Sequence, residues 1–283
     1  MKISEIIKKL EEYHPPLSER EREHTCDVYK CGDPDRECTG IAVTCYASYN
    51  VVKTAAERGI NLIICHEPAF YNHADKTDWL ADNSVYAEKK RIIDEYGIVI
   101  WRDHDHIHAG PMSSGREYPD MIFRGIMMTL GWEKYVLDDP KKPLLYGIPE
   151  TTVRELTKEL TEKLNLNGAR IIGDADAKVS KVFLCEHIRG NDGPFGSDSD
   201  KIARIEKEGF DVIIPLETVD WTILEYVTDS AQQGKGRAVI SMGHFNFEEP
   251  GMQYMARWLP EIIGGGVKVE YIQSGDIYSY ISR

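Results

Sequence analysis

The chain alternates short runs of consecutive apolar residues with stretches in which apolar positions recur every three or four residues. The first kind of run fits a strand buried on both faces, and the second is the stripe of an amphipathic helix. Residues 40–45 (GIAVTC), 61–65 (NLIIC) and 98–101 (IVIW) read as strands, with helices over 48–58 and 83–96. Ile3, Ile6, Ile7 and Leu10 mark an N-terminal amphipathic helix, and 119–132 runs apolar at helical spacing behind Pro119. After Asp138-Asp139-Pro140 the pattern restarts. A strand at 143–149 precedes a helix that Thr151 or Thr152 caps, with Val153, Leu156, Leu160 and Leu164 on one face. Strands at 169–173, 181–185, 211–215, 237–242 and 267–273 follow, with helices between the later ones; the last helix carries Met252, Met255, Ala256 and Leu259. Such alternation predicts an α/β fold in two halves of comparable layout.

Composition narrows the class. A hydrophobic fraction of 42% and a charged fraction of 29% describe a globular chain. The net charge of −13, with Lys and Arg scattered, argues against nucleic acid, which needs a basic face. No apolar run approaches the roughly 20 residues that cross a bilayer, so no membrane partner is expected. The N-terminal helix lacks the apolar block of a signal peptide, and a cytoplasmic location is expected. Six cysteines at this length do not make a disulfide framework, and Cys26, Cys31 and Cys38 contain no C-x-x-C pair to hold a structural zinc. In the glycine-rich segment 189–200, Asp198 and Asp200 fall where a helix begins and would occupy its positive end, so a capped turn is preferred to a phosphate cradle.

Three segments concentrate metal-ligand residue types, each directly after an apolar strand. His66-Glu67-Pro68 leaves the strand 61–65 at the edge where open α/β sheets gather ligands. His104, His106 and His108 follow the strand 98–101 and would share a face if the extended conformation continued; they are three of only nine histidines. His244 and Glu248 follow the strand 237–242, one helical turn apart, where both can face one ion. Imidazole with carboxylate suits zinc, iron, manganese or cobalt better than calcium. His14, His24 and His73 read as surface residues, while His187, just past the strand 181–185, is placed to face a site from the second half.

These segments resemble, in order and spacing, the NIF-three-like family of dinuclear-metal-centre proteins, whose members are named homologs of a type 2 GTP cyclohydrolase I. Gly32-Asp33-Pro34 matches an early GDP stretch, His66-Glu67-Pro68 a His-His-Pro motif, and Gly243 to Glu248 a Gly-His-Tyr-x-x-Glu motif with Phe245 for Tyr. The resemblance implies two interleaved α/β domains with mixed sheets, the first formed by residues 1–128 with 238–283 and the second by 129–237. It also implies a homohexamer and two divalent ions (Zn, Fe, Mn or Co) held by His66, Glu67, His108, His244 and Glu248. Two of these positions depart from the family: Glu67 stands for a histidine and His108 for an aspartate. That exchange keeps the formal ligand charge. His24 to Val28 also replaces a usual Trp-Asp-Asn-Val-Gly, and Leu216-Glu217 a Gly-Asp pair.

The function expected is that of a metal-dependent hydrolase acting on a small anionic or nucleotide-like molecule. His104 or His106 would transfer protons, and Arg102 or Arg116 would hold a substrate anion. A metal-binding or scaffolding protein without turnover is the alternative, because the same ligands serve either.

Overall fold

The computed structural model describes residues 1–108, 118–190 and 197–281. Its contacts divide the chain into two compact units, Met1–Gly125 with Glu249–Gly275, and Ile126–Glu248 with the residues from Asp276 onward.

The first unit opens with α1 (Ile3–Tyr13), whose Ile3, Ile6, Ile7 and Leu10 are buried as their spacing predicts. After the single turn α2 (Glu19–Arg22) come β1 (Tyr29–Cys31), β2 (Ile41–Thr44), α3 (Tyr49–Glu57), β3 (Leu62–Cys65), α4 (Ser84–Tyr96), β4 (Val99–Arg102) and α5 (Met121–Leu130). Ser48 and Asn83 cap α3 and α4 through their side chains, and Gly97 ends α4 in the left-handed conformation. The second unit holds β5 (Leu145–Thr152), α6 (Val153–Leu164), β6 (Arg170–Gly173), β7 (Lys178–Cys185), α7 (Asp198–Glu208), β8 (Val212–Pro215), α8 (Ile223–Gln232) and β9 (Ala238–Ser241). Helix α9 (His244–Ile263) begins in the second unit and ends in the first, where β10 (Val269–Tyr271) follows it.

Each unit is built on a five-stranded mixed sheet, in the orders β1-β4-β3-β2-β10 and β5-β7-β8-β9-β6. In the first sheet β10, β2, β3 and β4 run parallel and β1 pairs antiparallel at the edge. In the second, β7, β8 and β9 run parallel between antiparallel β5 and β6. Strands β2, β3, β4, β8 and β9 are buried at every position, which explains why they read as unbroken apolar runs. The mixed α/β architecture is the one expected. The division differs at β9: expected in the first domain, it pairs with β8 and β6 in the second sheet, and the passage to the first unit comes between Glu248 and Glu249. The sequence pattern of a buried strand does not say which sheet it joins.

Inside the first unit α5 and α9 approach closely because both carry glycine at the crossing. A Cβ on Gly125 would lie 2.5 Å from the Gly251 Cα, and one on Gly251 would lie 2.7 Å from the Ile122 Cα. Gly251→Ala is therefore expected to destabilise the fold by about 1–3 kcal/mol through overpacking. Urea denaturation checks this, and a midpoint equal to wild type would show that the helices separate freely.

Among the described residues, no helix is long and apolar enough to cross a membrane. The capped-turn reading holds for the described part of the glycine-rich segment. Ser197 caps α7, and Asp198 accepts hydrogen bonds from the Gly190 N–H (2.9 Å) and the Thr222 hydroxyl (2.7 Å). Residues 191–196 lie outside the described residues, as does Arg116.

Candidate metal centre

The turn leaving β3 is tied to the end of β2, since His66 and Glu67 both donate their N–H to the Cys45 carbonyl at 2.8 and 2.7 Å. This fixes both side chains at the C-terminal edge of the parallel strands. Asp103, just past β4, extends the ladder by donating to the Cys65 carbonyl at 2.9 Å. Beyond it the chain does not stay extended. The Asp27 carboxylate, 3% exposed, accepts the backbone N–H groups of His104, Asp105 and His106 at 2.7–3.0 Å, and that nest of donors curls the segment.

The curl decides which histidines meet. His108 N–H points to the His104 carbonyl at 3.4 Å, one helical turn back, so His104 and His108 fall on one side with ring centroids 5.4 Å apart. His66 stacks on His104 at 4.6 Å and meets His108 edge-on at 5.0 Å. The three histidines each offer one ring nitrogen, all within 4.8 Å of one another. His106 does not share their face, as the extended reading expected. Its Nδ1 is 2.6 Å from Asp27, and its ring lies 5.7 Å from that of His14. Burial opposes charge on His106, but the hydrogen bond and charge of Asp27 outweigh it and raise the pKa above the ordinary histidine value. His14, expected at the surface, is 6% exposed and bonded through Nε2 to the Asp103 carboxylate at 3.0 Å.

Each of the three clustered rings has its Nδ1 against an oxygen. For His66 that oxygen is the Asp103 carbonyl at 3.0 Å, which only accepts, so Nδ1 carries the proton and Nε2 the lone pair of the neutral ring. His108 Nδ1 lies 3.1 Å from Asp120, whose buried carboxylate also caps α5 through the Ile122 and Phe123 N–H groups. His104 Nδ1 lies 3.0 Å from Asp105. Histidine ligands of metals are oriented in this manner, and the donor set fits a divalent ion on its chemistry. Glu67 borders the set, with Oε1 3.9 Å from His104 Nε2.

Beside the cluster lies Arg102, wholly buried. It donates from Nε to the His66 carbonyl (2.9 Å) and from Nη1 to the His73 carbonyl (2.6 Å), and Nη2 stands 3.7 Å from Glu67. Arg102 is therefore a structural cation and not the anion-binding group expected: it has no exposed surface to offer a substrate. Its charge offsets that of Glu67, leaving the cluster dominated by neutral imidazole. Nearby, Asp75 is paired with Lys30 at 3.3 Å.

In the second unit His244 opens α9, with Nε2 3.2 Å from the Glu248 carboxylate one turn later. Glu248 is 2% exposed. His244 Nδ1 lies 3.9 Å from Glu217, and His187 Nε2 lies 3.6 Å from the same Glu217 oxygen. His187, Glu217 and His244 form a second donor group within 4.8 Å. The sequence reading placed His187 toward a site but named Glu217 only as a departure from the family's Gly-Asp pair and not as a donor, although its position just past the strand 211–215 carried that signal. The orienting carboxylates Asp27, Asp103 and Asp120 were also missed. Among the described residues Cys26, Cys31 and Cys38 form no donor group with one another, and burial pushes the Cys31 and Cys38 thiols up to about 11.

Asp27→Asn is expected to weaken metal binding by the first unit's histidines about 10–100-fold, as loss of an orienting partner does. The amide keeps only one acceptor oxygen where the carboxylate uses two for the segment 104–106. Competition against a chromophoric chelator measures it, and an unchanged affinity would show that the curl holds without Asp27.

Two α/β units, each with a mixed sheet and with histidine and carboxylate clusters past its parallel strands that could hold a metal ion, define the class of fold and site. The chain belongs to the Duf34/NIF3 (NGG1p interacting factor 3) family, whose pattern matches residues 1–95 and 135–276. It is 24% identical over 261 residues to a GTP cyclohydrolase 1 type 2 homolog of Clostridium perfringens, covering 88% of each chain. A protein of the same name from Staphylococcus aureus is 22% identical over 270 residues, covering 95% of this chain and 66% of that protein. In fold it is similar to a hypothetical protein of Staphylococcus aureus (TM-score 0.65, 18% identity, 99% of both chains). It is also similar to a Bacillus cereus protein related to NIF3 (TM-score 0.63, 15% identity, 99% of both chains).

Proposed function

We propose that the protein is a metal-dependent hydrolase of a small anionic or nucleotide-like substrate. The observation that carries this reading is the trio His66, His104 and His108, each with Nδ1 committed to an oxygen and a ring nitrogen turned to a common point. His66, Glu67 and His108 would hold a divalent ion, and His244 of the second unit supplies a donor for the second ion that the family implies. Nitrogen-rich donors with an offset carboxylate favour zinc, iron or cobalt over manganese. A divalent ion, when bound, acidifies water and polarises the scissile group.

The chain's own residues divide the remaining tasks. His104 has a quarter of its side chain exposed, against none of His66, and so stands at the open side of the cluster. Asp105 accepts its Nδ1–H and leaves Nε2 as the base that takes a proton from the attacking water. Burial raises the Asp105 pKa, but hydrogen bonds from His104, Thr25 and the Cys26 N–H outweigh this and hold the carboxylate ionised at neutral pH. The nucleotide-like substrate class is supported by the relatives' shared name. The exposed aromatic residues Tyr71, Trp79 and Tyr96 support the closed homo-oligomer that the family implies, which light scattering reads directly.

The test is metal analysis of protein purified without added metal, followed by a panel of phosphoesters and nucleotides. Turnover that His104→Gln lowers at least about 100-fold, with metal retained, supports a general base. Metal retained at full content with no turnover on the panel would favour a non-catalytic metal-binding protein.

A further inference from the structure

With Arg102 buried, an anionic substrate needs another donor near the histidine trio. Residues 69–76, just past the turn that leaves β3, form a loop that carries the exposed His73. The loop is braced from within. Phe70 donates its N–H to Asp75 at 2.8 Å, and Asn72 Nδ2 donates to the Phe70 and Lys76 carbonyls at 2.9 and 2.8 Å. The Asn72 side-chain oxygen accepts the Lys76 N–H at 3.0 Å. From beneath, Arg102 Nη1 holds the His73 carbonyl and Lys89 Nζ the Ala69 carbonyl, both at 2.6 Å. Tyr71 and Asp75 stand at φ of 63° and 53°, left-handed values that non-glycine residues seldom adopt. Such a backbone persists where its surroundings over-determine it, and these braces fix the chain on both sides of His73. The His73 ring lies 6.2 Å from that of His104, nearly perpendicular to it. His104 is the member of the trio with a quarter of its side chain exposed, so His73 stands where a solute would enter.

We propose that His73 is a substrate-binding residue, whose imidazole N–H donates to a phosphate oxygen of the substrate while the scissile group lies against the trio. The inference rests on the hydrolase reading and names the group that holds the anion. Two further observations support it. His14, His66, His104, His106 and His108 each have a ring nitrogen committed to an oxygen. Among the described residues none engages the ring of His73 in this way, so both of its nitrogens remain for a ligand. The second observation is the charge behind the loop. Arg102 and Lys89 are buried there, and so is the Lys30 side chain, while the carboxylates facing them are Glu67 and Asp75. Three cations against two carboxylates leave positive charge under His73, on a chain whose total is −13. Low-dielectric walls focus such a potential and draw anions to it.

Calorimetric titration of inorganic phosphate into the zinc-loaded full chain tests the proposal. His73→Ala is expected to weaken phosphate binding about 10–100-fold, the range for losing a hydrogen bond to a charged group. Its zinc content, measured by plasma mass spectrometry, should equal that of wild type. His73→Gln, which keeps an N–H donor, should recover part of the loss, as a merely structural role would not require. Unfolding midpoints of the metal-free variants check that each is folded. Phosphate bound equally by His73→Ala and wild type, or not bound by zinc-loaded wild type, overturns the inference and leaves the hydrolase reading to its own panel. Zinc lost from His73→Ala would make the residue a metal ligand and overturn the inference as well. If the wild type takes up no zinc, the hydrolase reading falls and the inference with it. His73-dependent phosphate binding without turnover of any phosphoester would sustain the phosphate site and overturn only the hydrolysis.

Discussion

Arg102→Met is expected to destabilise the protein by about 3–5 kcal/mol, the cost of leaving a buried ionic partner without its counter-charge. The guanidinium is wholly buried and holds the His66 and His73 carbonyls while facing Glu67 and Asp75. Methionine fills much of the same volume, so packing loss is small and the effect reports on the polar network. Adding Glu67→Gln to Arg102→Met should recover part of the loss by removing the stranded charge. Asp75 keeps its partner Lys30 in either variant. Chemical denaturation of the metal-free protein measures both changes. A single variant within 1 kcal/mol of wild type, on the scale of a surface change, would show that water reaches the site and screens the charges.

His66→Ala is expected to lower the affinity of the first unit for zinc by about 100-fold or more, at or beyond the upper end for loss of an orienting partner. His66 is the fully buried member of the trio and lies in ring contact with both His104 and His108. Removing it takes away one nitrogen and the stack that steadies another. Competition with a chelator of known affinity gives the number, and circular dichroism of the metal-free variant separates ligand loss from unfolding. Affinity within threefold of wild type would remove His66 from the site.

How far the sequence carried these conclusions depends on the range of the interaction concerned. Strands β2, β3, β4, β8 and β9 were legible because burial on both faces writes itself as a local apolar run. Strand β1 was not, being three half-buried residues at a sheet edge. His66, Glu67, His104 and His108 could be picked out because each follows a legible strand. His106 was misplaced because its orientation is imposed by Asp27, 79 residues away, and no local periodicity encodes that carboxylate. The same holds for Asp103 acting on His14 and for Glu217 among the second unit's donors. Assignment of β9 to the second sheet likewise depends on pairing partners that a strand's own residues do not name.

The path of the chain through its two units bears on how it is made. Residues 126–248 are one uninterrupted block containing every strand of the second sheet, so that sheet can close while later residues are still being added. The first sheet waits. Its β2 edge is completed by β10, with Val269 beside Ile41 and Tyr271 beside Val43, and β10 follows all the other strands in the chain. Until then Ile41–Thr44, apolar on both faces, presents unpaired backbone along an open edge. A nascent or truncated chain that stops before Val269 is thus an aggregation-prone species whose first unit, though earliest in the chain, is the last to be sealed.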